Sequence, residues 1–262
     1  MKIQSAGVLL CFSLLPACSD NGEAAEPQGR GRVEDSVAGI VALGINDLSY
    51  RPMTVGASSG LTGAITLQST RPDSTVVVAR DQGVCGDSAT VTVSAPSNVL
   101  VWVDGITSGK ALPTARREKL TIERCRFSPR VLAVVTGTTI NVSSQDKAMM
   151  TSRFYREGGG TPVDEIWTVD KGQIVPSEKI AAQAGIVEAR SVQQPWTRGY
   201  IAVFDHPYFA VADENGAFTI DSLPPGTYTV KVWHERMEQP AEQRVVVSAS
   251  GAGRLDLSLN LQ

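Results

Sequence analysis

From residue 61 onward, short apolar and β-branched stretches recur, divided by Gly, Pro, Asn and Asp. Leu61-Thr62-Gly63-Ala64-Ile65-Thr66-Leu67 opens the series, and β-branched runs follow at 74–79, 89–94, 99–103, 130–135 and 138–142. A second set lies at 199–204, 217–220, 227–233, 243–247 and 255–259. In Thr227-Tyr228-Thr229-Val230-Lys231-Val232-Trp233 the alternation places Tyr228, Val230 and Val232 on one face, the mark of a half-buried strand. One segment, 176–184, predicts a helix with Ser177 as its cap. Many short strands with regularly spaced turn residues predict an all-β sandwich architecture.

The first sixty residues follow another pattern. Met1-Lys2 is followed by an apolar run at 8–15 and then by Leu15-Pro16-Ala17-Cys18-Ser19. One positive charge, a short apolar core and small residues before a cysteine read as a secretory signal, and the run is too short to span a bilayer. The Leu-x-Ala-Cys ending resembles a bacterial lipobox. That resemblance implies removal of residues 1–17, a lipid on Cys18, and export to the cell envelope with the membrane held through that lipid. Residues 18–60 are polar and rich in Gly and Pro, and read as a flexible tether. The short apolar run 37–43 stays unassigned. Gly56-Ala57-Ser58-Ser59-Gly60 matches Gly-x-Ser-x-Gly in letters. A nucleophile elbow needs a strand before it and a helix after it. Here a segment containing Pro52 precedes it and a strand follows, so it reads as linker.

Cysteine usage fits an exported chain. Of four cysteines, Cys11 leaves with the signal and Cys18 carries lipid, which leaves Cys85 and Cys125. In an oxidising compartment the remaining pair predicts a Cys85–Cys125 disulfide. The rival, a metal or redox pair, lacks a Cys-x-x-Cys and a nearby His. A net charge of -3 gives no electrostatic basis for nucleic acid.

Two stretches carry family resemblances. The first is Cys125-Arg126-Phe127-Ser128-Pro129-Arg130-Val131, followed by Gly137-Thr138-Thr139-Ile140-Asn141-Val142, Gln145-Asp146 and Pro195-Trp196-Thr197-Arg198-Gly199-Tyr200. Upstream, Asp81, Val84-Cys85-Gly86 and Asn98-Val99-Leu100-Val101-Trp102-Val103 belong to the same pattern. It resembles a bacterial cupredoxin-like family over about residues 60–204 and implies a Greek-key sandwich. Family copper sites use a Cys, two His and a Met. Carried over by motif, those positions fall on Ser191 for the Cys, Met150 and Gln194 for the His, and Thr197 for the Met. Hydroxyls and an amide are poor copper ligands, so the resemblance implies a sandwich without copper, cofactor or electron transfer.

The second stretch runs from Asp205-His206-Pro207-Tyr208 through Asp213-Glu214-Asn215-Gly216-Ala217-Phe218 to Leu223-Pro224-Pro225-Gly226-Thr227-Tyr228 and Trp233-His234-Glu235. Asp-x-x-Gly-x-Phe and Leu-Pro-Pro-Gly-x-Tyr-x-Val resemble the carboxypeptidase regulatory-like module, a small transthyretin-like sandwich. The expected division is a signal at 1–17, a tether at 18–60, a first sandwich at 61–204 and a second at 199–262. Strand 199–204 is expected to serve both sandwiches.

Several side chains invite a sharper reading. His206 and His234, the chain's two histidines, could meet at one end of the second sandwich as a metal or acid/base pair. The plainer reading gives each a backbone hydrogen bond near the domain junction. Trp167, Trp196 and Trp233 could form a sugar-stacking platform, although Trp196 and Trp233 fit better as filling of the junction. Arg116-Arg117-Glu118 reads as a solvated loop, and Met149-Met150 as core. The expected function is a non-enzymatic envelope lipoprotein with a binding or scaffold role toward a protein or glycan. The alternatives are a carbohydrate-binding protein and a residual metal site at His206 and His234.

Overall fold

A computed structural model describes residues 50–55, 59–69, 74–77, 82–85, 89–92 and 98–261. Cys18, the run 37–43 and most of the tether lie outside the described residues. The chain begins with β1 (Arg51–Pro52), β2 (Gly60–Ser69), β3 (Ser74–Val77), the short helix α1 (Gln82–Cys85), β4 (Ala89–Thr92), β5 (Leu100–Val103) and β6 (Ser108–Gly109). It continues with β7 (Arg117–Glu123), β8 (Arg126–Ser128), β9 (Val131–Val135), β10 (Thr139–Ser144), β11 (Met150–Arg156) and β12 (Pro162–Thr168). Then come β13 (Ile174–Ser177), β14 (Gly185–Ser191), β15 (Arg198–Phe204) and β16 (Phe209–Val211). It ends with β17 (Ala217–Asp221), β18 (Gly226–Trp233), β19 (Ala241–Val247) and β20 (Gly253–Leu261).

The strands build two sandwiches. The first packs a sheet of order β13-β10-β7-β8 on one of order β12-β11-β14-β15-β9. Its core includes Leu120, Ile122, Ile140, Val142, Phe154, Val187, Ile201 and Val203. The second packs β16-β5-β18-β19 on β17-β2-β20, with Leu61, Ile65, Val101, Val103, Phe218, Val230 and Val232 inside. Period-two burial along β17 and β20 follows from one face turned to this core and the other to solvent.

The pairing departs from the expected division. β2 and β5, assigned from sequence to the first sandwich, belong to the second. β2 runs parallel to β20 from Leu61↔Gly253 to Ser69↔Leu261, and β5 lies between β16 and β18. The first sandwich, β7 to β15, is therefore inserted between strands of the second. The close approach of β2 and β20 needs Gly63, since a Cβ there would stand 1.7 Å from the Leu255 carbonyl oxygen. β15 is not shared: it hydrogen-bonds only within the five-stranded sheet, to β14 and β9. The tether also ends earlier than residue 60. β1 pairs with β6, the Tyr50 hydroxyl donates to the Lys110 carbonyl at 2.7 Å, and its ring meets Tyr208 edge-on.

The helix expected at 176–184 is absent. Residues 174–177 form β13, and the Ser177 hydroxyl accepts the Ile180 N–H at 3.4 Å. The capping residue therefore closes a turn, whose Ile180 and Ala181 are buried in the core. The Asp213–Gly216 turn is as the residue types require. The Asp213 carboxylate accepts the N–H groups of Asn215 and Ala217, and Gly216 takes a φ of 79°.

The sandwiches meet face to face. The outward side of β9, β14 and β15 gives Val131, Ile186, Ala202 and Phe204, and that of β5 and β18 gives Leu100, Trp102 and Trp233. Phe204 stacks on Phe209 with centroids 4.7 Å apart, and Tyr200 meets Trp233 edge-on at 5.4 Å. Aromatic side chains of this size dominate the energetics of such a contact.

Candidate functional site

The four positions that the cupredoxin resemblance matches to copper ligands lie at one end of the first sandwich. Ser191 ends β14, and Gln194 and Thr197 follow in the loop to β15. Met150 opens β11, and its side chain is buried in the core. The Ser191 hydroxyl donates to Gln194 Oε1 at 3.0 Å and accepts the Gln194 N–H at 3.1 Å. The Thr197 N–H reaches the Gln194 carbonyl at 2.8 Å, the Ser191 N–H reaches the Thr197 carbonyl at 3.1 Å, and the Thr197 hydroxyl donates to the Cys125 carbonyl. All three polar side chains are buried, and they are hydrogen-bonded to one another or to backbone, as buried polar groups must be. Of the Met pair expected in the core, only Met150 is there. Met149, one residue earlier in the loop that leads into β11, is exposed.

Cys85 on α1 and Cys125 between β7 and β8 are joined by a disulfide, Cα to Cα 5.2 Å. Arg124 and Cys125 form a two-residue hairpin loop with φ of 51° and 54°, the geometry of a type I′ turn. Asp146, buried, supports it: its carboxylate accepts the N–H of Arg124 at 2.6 Å and of Cys125 at 2.9 Å. The Gln145-Asp146 pair was visible in the sequence as part of a motif, but its partner, the β7–β8 turn at the same end of the same sheet, was not.

The two histidines do not meet. His206 stands two residues before Tyr208, whose carbonyl accepts the Val103 N–H at the C-terminal end of β5. His234 follows Trp233, which pairs with Leu100 at the other end. The four residues of β5, a span of about 10 Å, lie between these two ends. Each uses Nδ1 as an acceptor for a backbone N–H two residues on, from Tyr208 at 3.2 Å and from Arg236 at 3.2 Å. Burial pushes His206 down to about 4, opposed by the nearby Asp104 carboxylate. Among the described residues no cluster of three His, Cys, Asp or Glu side chains could hold a metal ion.

The tryptophans divide differently from the expectation. Trp233 fills the junction. Trp196 does not: it is 40% exposed, in the β14–β15 loop. Trp167, on β12, is 60% exposed. Met149, Val169, Ile174, Val192 and Trp196 are also exposed. They sit at the same loop end of the first sandwich, where Met150 pairs with Thr168 and the Val192 N–H reaches the Thr151 carbonyl.

The second sandwich covers only part of the outer face of the five-stranded sheet. Beyond its rim, the register places Glu165, Arg153, Arg190 and Arg198 in one row across β12, β11, β14 and β15. Arg153 Nε donates to Glu165 Oε2, and Trp167 Nε1 donates to Glu165 Oε1 at 2.9 Å. The hydrogen bond from Arg153, then that from Trp167, holds the Glu165 carboxyl below its usual range. Glu188, 1% exposed, takes Arg190 Nη2 at 2.6 Å and stands 3.2 Å from Arg198 Nη1. The Arg190 guanidinium lies over the Tyr155 ring at 4.8 Å. At the rim, Tyr200 is pushed up to about 12 by burial and by the Glu235 and Glu188 carboxylates. Arg117 and Glu118, expected in a solvated loop, begin strand β7 with exposed side chains. On the other flank of the junction an open cleft of about 370 Å³ is lined by Glu118, Pro129, Val131, Leu132, Ala133 and Phe209–Val211.

Comparison with known proteins agrees with the second sandwich. The carboxypeptidase regulatory-like domain matches residues 189–260. The match takes in part of β14 and all of β15, which belong to the first sandwich, and does not include β2 and β5. Among solved structures, a purple cupredoxin from Nitrosopumilus maritimus is similar at 16% identity, covering 32% of this chain and 97% of that one, with a TM-score of 0.28. A reduced amicyanin variant is similar at 15% identity, covering 36% and 96%, with a TM-score of 0.30. A copper-containing nitrite reductase from Thermus scotoductus is similar at 17% identity over 39% of this chain and 24% of that one, with a TM-score of 0.29. No curated protein matches the chain. The described residues thus form two β-sandwiches, and the C-terminal part of the chain matches the carboxypeptidase regulatory-like domain.

Proposed function

We propose that this chain is a non-enzymatic protein of the cell envelope, exported and lipid-anchored through Cys18, with a binding or scaffold role. The observation that carries the reading is the loop end of the first sandwich. Ser191, Gln194 and Thr197 there spend their polar groups on one another and on backbone. Around them Met149, Val169, Ile174, Val192 and Trp196 present apolar surface to solvent. A filled polar interior favours recognition over chemistry, and grouped exposed apolar side chains favour a macromolecular partner. The disulfide fits an oxidising compartment.

The test uses the tagged full-length chain, captured with its neighbours from intact envelope after cross-linking. A partner held by the wild type and lost on Val192→Asp with Trp196→Asp supports docking at this end. An unchanged partner set in that variant overturns it. Cys18→Ser, read by membrane fractionation, tests the anchor separately: the variant is expected in the soluble fraction or unprocessed.

The alternative reading, a carbohydrate-binding protein, is favoured by Trp167. Its ring is open to solvent and its N–H is already tied to Glu165.

A further inference from the structure

Three arginines stand side by side on the exposed half of the five-stranded sheet. Arg153 pairs across the ladder with Arg190, and Arg190 with Arg198. Neighbouring strands lie about 4.8 Å apart, and like charges directly opposite one another destabilise a sheet. Two carboxylates, Glu165 and Glu188, oppose these three guanidiniums, which leaves one positive charge in the row. The next pair along, Arg130 and Glu235, cancels itself. Arg190 Nε is buried and has no acceptor among the described residues. The chain as a whole is acidic, at -3, so this row is a local exception.

Trp167 stands beside the row. Its indole is fixed by Glu165 Oε1, and Glu165 Oε2 is fixed by Arg153. An exposed aromatic face held still, next to guanidiniums held still, is pre-organised for a ligand with a flat apolar face and an anionic edge. Guanidinium forks match carboxylate and sulfate oxygens. At the far end of the row the second sandwich forms a wall: Arg130 Nη1 donates to the Arg198 carbonyl at 3.2 Å, and Arg130 Nη2 to Glu235 Oε2 at 2.6 Å. The result is a shelf running from Trp167 to a step.

We propose that this shelf binds an acidic polysaccharide, with a sugar ring on Trp167 and its carboxylate or sulfate on Arg153 and Arg190. The proposal takes up the carbohydrate reading and is independent of both the lipid anchor and the loop-end docking surface.

Oligogalacturonate serves as the acidic probe and a malto-oligosaccharide as the neutral one, each titrated calorimetrically into the full-length chain in detergent. Oligogalacturonate is expected to bind, more weakly as salt rises, while the malto-oligosaccharide does not. Trp167→Ala and Arg153→Gln each alter an exposed side chain and are expected to weaken binding by roughly 10-fold or more, as loss of an anchoring residue does. Trp167→Phe keeps a stacking face and is expected to retain part of the affinity. Near-ultraviolet circular dichroism establishes that the variants are folded. No binding of oligogalacturonate, equal binding of the neutral probe, or wild-type affinity in both Trp167→Ala and Arg153→Gln overturns the proposal. A failure here leaves the Cys18 fractionation and the loop-end cross-linking unchanged, so the two readings fail separately.

Discussion

Arg130 and Glu235 join the two sandwiches through a two-pronged ion pair. The arginine lies between β8 and β9 of the first, and the glutamate just after β18 of the second. Nε meets Oε1, and Nη2 meets Oε2 at 2.6 Å. The Glu235 side chain is only 6% exposed. Burial lowers the affinity of Arg130 for its proton, but the bond and charge of Glu235 outweigh it, and the net shift is upward. Removing one partner of a buried pair strands the other charge and typically costs about 3–5 kcal/mol, whereas replacing both with apolar groups costs far less. Arg130→Met is therefore expected to destabilise the protein by about 3 kcal/mol, and Arg130→Met with Glu235→Leu by less than either single change. Chemical denaturation of the wild type, the two single variants and the double variant measures the difference.

The junction aromatics predict a single cooperative unit. Trp233 is buried against Tyr200 and the outer face of the first sandwich. Two crossings of the chain, β5–β7 and β15–β16, also tie the sandwiches together. Truncating a buried aromatic costs about 3–5 kcal/mol. Trp233→Ala is expected to lower the melting temperature in one transition rather than split it into two. Limited proteolysis is expected to cut ahead of Tyr50 well before it cuts near Asp205, whose neighbours Phe204 and His206 are buried. Trp196→Ala, at an exposed site, is expected to leave the melting temperature nearly unchanged.

Much of this fold was legible in the sequence, and each exception has a physical cause. Alternation located β17, β18 and β20 because one face of each is apolar and the other polar. The turn at Asp213–Gly216 was legible because its residue types serve their own backbone. β11, β12 and β14 escaped, since their outward positions carry Arg153, Glu165, Trp167, Glu188 and Arg190, and a mixed aromatic and charged face does not read as a strand. The insertion escaped for a different reason. The pairing of Leu61 with Gly253 spans nearly the whole folded chain, and local pattern carries no record of so distant a partner. The site divides the same way. Ser191, Gln194 and Thr197 are near one another in sequence, and their association was readable. The arginine row is assembled from β11, β14 and β15 by register alone. His206 and His234 flank a continuous segment in the sequence yet lie at opposite ends of β5.

The disulfide predicts a sizeable loss on reduction. Cys85 and Cys125 are separated by 40 positions, and closing a loop of that size stabilises a fold by roughly 4 kcal/mol in the chain-entropy model. Cys85→Ser with Cys125→Ser is expected to lower stability by about 2–4 kcal/mol, measured by urea denaturation. Non-reducing peptide mapping of the native protein is expected to recover the two peptides linked; two freely alkylated thiols would contradict the bridge.

Copper predicts a spectroscopic test. A blue or purple copper centre owes its intense visible band to a thiolate on the metal, and the position aligned with that thiolate is Ser191. Cys85 and Cys125 are committed to each other. Protein given Cu(II) is expected to show no such band and to retain no stoichiometric copper after dialysis. Copper held at Met150, Ser191, Gln194 and Thr197 would overturn the assignment of those positions as vacant of metal chemistry.

His206 predicts an acid limb in the stability curve. It is 8% exposed, packed among Tyr50, Phe204 and Tyr208, with Asp104 the carboxylate that acts on it. Burial outweighs that carboxylate and holds the folded-state value near 4, against 6.5 for a free imidazole. Above pH 6.5 the ring is neutral in both folded and unfolded chains, and its titration contributes no dependence on pH. Between 6.5 and 4 the unfolded chain takes up a proton that the folded chain refuses, so stability falls as pH falls, by up to about 3 kcal/mol. Below 4 both forms are protonated and the loss levels off. Carboxylates titrate in part of the same window, so the wild type alone does not isolate the effect. His206→Gln keeps an acceptor for the Tyr208 N–H but does not ionise. Denaturation midpoints measured from pH 7.5 to 4 are expected to fall less steeply in His206→Gln than in the wild type, with the two curves converging toward acid. Parallel curves across that range would show that His206 is protonated in the folded protein as readily as in the unfolded one.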